Sequence, residues 1–128
     1  MAKELKEILL LWKTKAAHDL KIASKEIKAE DALTDIICFH AQQAAEKYLK
    51  MYLVSKGTEP LKTHNIKDLL NKCREHNKNF DMLKSVVFLT EYAVEARYPD
   101  DFYMPSKDEA ENAIEAAKQV KELVLKFI

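Results

Sequence analysis

The chain has 128 residues, of which 48% are hydrophobic and 33% charged, a composition typical of a globular domain and too apolar for a disordered segment. Basic and acidic residues both number 21, and a net charge of zero excludes a strong overall field that would attract nucleic acid or an anionic membrane. The apolar runs are far shorter than the ~18 residues of a membrane span, and the single glycine, Gly57, excludes a glycine-rich phosphate-binding loop.

These features predict one cytosolic domain over residues 1–128, without a membrane segment. The periodicity predicts an all-α, antiparallel up-and-down bundle of four long helices and one shorter helix. The first helix is expected at about residues 2–29, and the second runs from an Asp31 cap to about Lys56, before Gly57. Their inward stripes are expected to be Leu5, Ile8, Leu9, Trp12, Ala16, Leu20, Ala23 and Ile27, and then Leu33, Ile37, His40, Ala41, Ala44, Tyr48 and Met51.

The third helix is shorter and is expected at residues 65–76, with either Asn65 or Thr63 as its cap. The fourth is expected at residues 80–97, and it should stop there because Pro99 disfavours a helical conformation at the preceding residue. Its inward residues at helical spacing are Leu83, Val87, Thr90 and Val94.

The fifth helix is predicted to begin after the sequence "SKDE". Ser106 is three residues before Glu109, which is the spacing of a capping box. The helix should continue to the end of the chain, with an inward stripe of Ala110, Ala113, Ile114, Ala117, Val124 and Ile128.

The remaining polar residues do not form a familiar catalytic or metal motif. The histidines never occur four residues apart, which is the spacing that holds a metal on one helix face, and no Glu-x-x-His pair is present. Cys38 and Cys73 have no motif spacing and are interpreted as reduced core residues. We therefore expect neither a metal nor a cofactor.

His40 is expected on the apolar face of the second helix. A buried ring needs a hydrogen-bond partner, and Asp19 is the candidate, because it borders the stripe of the first helix. Gln43 and Lys47 extend a polar strip from His40 along the edge of this face. The strip is interpreted either as solvated surface beside a packed histidine or as one wall of a ligand groove.

Four segments, in this order, carry a resemblance to a known family: "AAHDLKIA" (16–23), "CFHAQQAAEKYLK" (38–50), "HNIKDLL" (64–70) and "YAVEARYPDD" (92–101). Together they resemble the HEPN family of small helical domains. The resemblance implies a bundle of four or five helices that dimerises and a link to nucleotides or RNA. One branch of the family serves as partner subunit of minimal nucleotidyltransferases, and another comprises ribonuclease toxins and defence nucleases.

The nuclease branch uses an arginine followed four to six residues later by a histidine. Arg97 is the matching arginine, but the corresponding histidine positions hold Phe102, Tyr103 and Met104. Phenylalanine and methionine cannot exchange protons, and a tyrosine with a pKa of about 10 is a poor general base at neutral pH. The sequence therefore argues against nuclease activity and predicts no catalytic residue.

The favoured interpretation is a nucleotide-binding or substrate-binding partner subunit of a minimal nucleotidyltransferase, in a toxin-antitoxin-like system, that forms a homodimer. The alternatives are a ribonuclease with a degenerate arginine–histidine motif and a purely dimerising interaction module. The candidate ligand-binding residues are Arg97, Tyr98, Gln43, Lys47 and His40. A guanidinium such as that of Arg97 can bind phosphate through two parallel hydrogen bonds, although it can also simply stabilise a helix C-terminus.

Overall fold

A computed structural model describes residues 2–93 and 103–128, and within these ranges every regular element is helical. The all-α prediction is therefore confirmed. No helix in the described ranges is both long and apolar enough to cross a membrane. The elements are α1 (Lys3–Glu26), α2 (Thr34–Ser55), α3 (Ile66–His76), a 3₁₀ segment η1 (Lys78–Tyr92) and α4 (Lys107–Lys126).

Helix α2 is the centre of the fold, because it contacts all four of the other elements. It runs antiparallel to α1: the backbone N–H of Leu33, which precedes α2, donates to Glu26 Oε2 at the end of α1 (3.0 Å). The predicted Asp31 cap is wrong, since α2 begins at Thr34 after Leu33 and has no side-chain cap. Apolar side chains on α2 are buried on several faces, so helices can pack all around it.

Three helix ends follow local sequence signals, as predicted. Asn65 Oδ1 accepts a hydrogen bond from the backbone N–H of Asp68 (3.1 Å) and caps α3. Ser106 and Glu109 form both bonds of a capping box at the start of α4. Gly57 follows α2 with a φ of 80°, a left-handed conformation that glycine adopts without steric cost.

The predicted fourth α-helix is wrong, because residues 78–92 form 3₁₀ turns. A 3₁₀ helix has three residues per turn, so residues three apart lie on one face. The buried residues of η1 follow that spacing and are Phe80, Leu83, Val86 and Leu89. Val87, which a 3.6-residue period places inward, is 36% exposed. The backbone leaves helical geometry at Leu83 (φ −101°, ψ 17°). The predicted helix end at Arg97 lies outside the described residues. So does Val94, which was predicted to point inward.

Some apolar side chains that were predicted to be inward are exposed instead. They are Ile8 (45%), Leu33 (56%) and Ile128 (43%). Helix α1 also exposes Leu10 and Leu11, each by more than half. Leu9, between Ile8 and Leu10, is only 5% exposed, so the exposed residues of α1 lie on the sides of the helix that face away from the core.

Candidate functional site

One carboxylate, that of Asp19, connects α1 to two residues of α2. Asp19 Oδ1 lies 2.8 Å from His40 Nδ1, and Asp19 Oδ2 pairs with Lys47 Nζ. An ionised carboxylate only accepts hydrogen bonds, so the Nδ1 atom of His40 carries the proton in this contact. His40 and Lys47 are seven residues apart, which is about two helical turns and places them on one face of α2. The prediction that Asp19 is the partner of His40 is confirmed.

The contact changes what Lys47 can contribute to a ligand site. Its ammonium already faces a carboxylate, so the pair carries no net charge and attracts phosphate less than a free lysine does. The ring of His40 is 22% exposed, and it packs edge-on against Phe39. Asp19 thus fixes the orientation of the partly exposed His40 ring, and it also neutralises the ammonium group of Lys47.

Gln43 belongs to a second polar network on α2. Its Nε2 donates to Oε1 of the fully buried Gln42 (2.7 Å), whose own Nε2 donates to Glu46 Oε1 (3.0 Å) and to the backbone carbonyl of His64 (3.2 Å). His40, Gln43 and Lys47 therefore all have hydrogen-bond partners within the protein.

Glu46 is the centre of this network. Its Oε2 accepts from Lys50 Nζ (2.9 Å), and its Oε1 accepts from His64 Nδ1 (2.9 Å). Burial favours the neutral carboxyl, but the hydrogen bonds from Lys50, Gln42 and His64 outweigh it, and the pKa of Glu46 is lowered. Sequence reasoning missed this network, although Gln42, Glu46 and Lys50 follow the i, i+4 spacing that brings helical side chains together.

Arg97 and Tyr98 lie outside the described residues, but residues on either side of their segment form side-chain hydrogen bonds. Tyr92 donates from its hydroxyl to Glu109 Oε2 (3.3 Å), and Tyr103 donates to Glu109 Oε1. Thr34 Oγ1 donates to the sulfur of Met104 (3.2 Å). The first turn of α4 and the start of α2 therefore hold both flanks of the segment.

These flanks lie on a different face of α2 from the polar strip. The side chain of Tyr92 lies close to the thiol of Cys38, which is nine residues before Lys47. Nine residues correspond to about two and a half turns, so Cys38 and Lys47 point to opposite sides of α2. Within the described residues, the strip is therefore not brought to the flanks of the Arg97 segment.

A cleft of about 500 Å³ lies between η1 and α4, next to these flanks. Phe88 and Tyr92 form an aromatic wall, with their ring centroids 6.4 Å apart. The rest of the lining is mostly polar and consists of Ser85, Val86, Glu109, Asn112, Glu115, Ala116 and Gln119. This volume lies within the range of about 300–1,000 Å³ that is usual for small-molecule sites. Sequence reasoning did not find the cleft, because it depends on the 3₁₀ spacing of η1.

Glu109, which lines this cleft, also determines the protonation of Tyr103. The hydrogen bond from its hydroxyl to the Glu109 carboxylate raises the pKa of Tyr103 above its ordinary value. The same bond is the main cause of the lowered pKa of Glu109. Tyr103 therefore remains protonated at neutral pH and cannot act there as a general base.

The two thiols are buried and chemically quiet. Burial raises the pKa of both Cys38 and Cys73 to about 12, so neither is a thiolate at neutral pH. In residues 2–93 and 103–128, no group of three or more histidine, cysteine or acidic side chains is arranged to hold a metal ion.

The described residues form an all-α fold around the central helix α2. The HEPN domain family matches residues 9–127, which is nearly the whole chain, so this protein belongs to the HEPN domain family. Among solved structures, it is similar to the crystal structure of TT1696 from Thermus thermophilus, with 28% sequence identity and a TM-score of 0.80. That similarity covers 94% of this chain and 98% of the other. The comparison with curated proteins gives no match.

Proposed function

We propose that this HEPN protein binds a nucleotide as the non-catalytic partner subunit of a minimal nucleotidyltransferase. The observation that carries the nucleotide part is the cleft between η1 and α4, which lies next to the flanks of the Arg97 segment. Its aromatic wall suits a nucleobase, and the amide of Asn112 suits hydrogen bonding to a base edge. Arg97 is then the group that contacts phosphate, since the carboxylates in the cleft disfavour an anion there.

The non-catalytic part is supported by the residues after Arg97. Phe102, Tyr103 and Met104 occupy the positions at which the nuclease branch has its histidine. The only one of them with an exchangeable proton is Tyr103, and its raised pKa keeps that proton in place. Purified protein should accordingly cleave RNA no faster than Arg97→Ala does. Cleavage by the wild type that disappears in this variant would contradict the proposal.

Nucleotide binding is tested by calorimetry with ATP and adenosine. Arg97→Ala should weaken ATP binding by about 1.5–3 kcal/mol, the value of a charged hydrogen bond, and leave adenosine binding unchanged. Asn112→Ala should weaken both ligands, because it removes a contact to the base. Arg74→Ala is the matched control, since Arg74 is exposed, pairs with Asp81 and does not line the cleft. If Arg97→Ala binds ATP like the wild type while remaining folded, Arg97 is not the phosphate contact.

The partnership and the dimer need separate experiments. A minimal nucleotidyltransferase encoded next to this protein should co-purify with it, and separate elution of the two proteins would contradict the partnership.

We also propose a homodimer that covers the exposed apolar residues Leu10, Leu11, Tyr103 and Met104. Light scattering should give about twice the chain mass of 14.8 kDa. A monomeric mass at micromolar concentration would contradict it.

A further inference from the structure

A second cleft, of about 330 Å³, lies between α1 and α4. Its cationic lining consists of Lys21, Lys118 and Lys121, and we call it the lysine cleft. The remaining lining residues are Ala17, Leu20, Ser24 and Glu122. None of them is aromatic, so this cleft has no surface on which a nucleobase can stack.

Helical spacing accounts for the convergence of the three lysines. Lys118 and Lys121 are three residues apart and share one face of α4. Lys21 and Ser24 have the same spacing on α1. The two helices both pack mainly against α2, and a groove remains between them into which these side chains project.

The lysine cleft has more positive than negative groups in its lining. Among the described residues, no carboxylate oxygen lies within 4.0 Å of the ammonium of Lys21, Lys118 or Lys121, whereas Lys47 and Lys50 both have such partners. The lining contains one carboxylate against three ammonium groups, so its formal charge is positive although the chain is neutral overall. Like charges held in one groove repel each other, and a bound anion relieves that repulsion.

We propose that the lysine cleft binds a small oligophosphate through its phosphate groups alone. Lysine ammonium groups act as point charges with rotatable donors, so they can adapt to several oxygens of a polyphosphate chain. The Ser24 hydroxyl can donate one further hydrogen bond to the anion. This site is separate from the proposed nucleotide cleft, which lies on the η1 side of α4 and has an aromatic wall.

The test is calorimetric titration of the full chain with inorganic triphosphate at low salt. Lys118→Gln and Lys21→Gln should each weaken binding by about 1.5- to fivefold, the range of an exposed ion pair, and each should lower the salt dependence. Glu122→Gln should strengthen binding by a similar factor, because it removes the opposing charge from the cleft. Lys67→Gln, an exposed lysine of α3, is the control and should bind like the wild type.

Several outcomes would overturn the proposal. One is a failure of triphosphate to bind, and another is equal binding by all the lysine variants, including Lys67→Gln. Binding of a single-stranded RNA oligonucleotide without binding of triphosphate would also overturn it, since the ligand would then be a nucleic-acid backbone. The two clefts are distinguished by Arg97→Ala, which should leave triphosphate binding intact. In the ATP titration, the lysine cleft should appear as a second site that Arg97→Ala leaves unchanged.

Discussion

Replacement of Glu46 by glutamine tests the buried network of α2 most directly. The side chain of Glu46 is 6% exposed and that of Lys50 is 10% exposed, with 2.9 Å between their charged atoms. Removal of one partner from a buried ion pair costs about 3–5 kcal/mol, because the other charge stays buried without compensation. Glutamine keeps one carbonyl oxygen as an acceptor, so we expect the lower end, about 3 kcal/mol.

The measurement is urea denaturation followed by circular dichroism. With a urea dependence of about 2 kcal/mol per molar, a loss of about 3 kcal/mol lowers the unfolding midpoint by about 1.5 M. Glu75→Gln is the matched control, since Glu75 is 62% exposed and its oxygen lies 3.4 Å from Lys72. An exposed pair of this kind contributes about 0–1 kcal/mol. The control should therefore unfold close to the wild type.

Two further measurements make the reasoning refutable. The double variant Glu46→Gln/Lys50→Met should regain much of the stability, because it removes both buried charges. Glu46 has a lowered pKa, so its contribution is fully present above the unfolded value of 4.5 and is lost as the pH falls through the folded value. The difference between Glu46→Gln and wild type should therefore shrink below pH 4.5. A single variant as stable as the wild type, or a double variant no better than the single one, would refute the buried-pair argument.

The remaining predictions concern caps, thiols and the Asp19 contact. Ser106→Ala should cost about 1 kcal/mol in urea unfolding through loss of the α4 cap, and an unchanged midpoint would contradict the capping box. Cys38 and Cys73 should react with a thiol reagent at about pH 8 only after unfolding, since burial raises the pKa of both to about 12; rapid labelling of the native protein would argue against this. Asp19→Ala should cost about 1.5–3 kcal/mol and Asp19→Asn less, because asparagine still accepts from His40; equal losses would show that the charge dominates.

The sequence by itself determined the helical class and the helix ends that depend on a few neighbouring residues. The Ser106–Glu109 capping box, the Asn65 cap and the left-handed Gly57 are such local features, and each lies where it was predicted. The contact between Asp19 and His40 was also predictable, because a polar residue on the apolar stripe of each helix needs a partner. The candidate ligand residues Arg97 and Tyr98 remain predictions, since they lie outside the described residues.

Only the tertiary structure decided which polar groups meet and which periodicity η1 adopts. Phe80, Val86 and Leu89 fit a three-residue repeat, but the same segment also offers a 3.6-residue pattern through Val87. Packing of η1 against α2, α3 and α4 selects the three-residue repeat. Likewise, whether Lys47 is a free cation depends on an aspartate 28 residues earlier, and the two clefts depend on how η1, α1 and α4 pack. Such outcomes follow from contacts between residues distant in sequence, which local propensity and spacing do not encode.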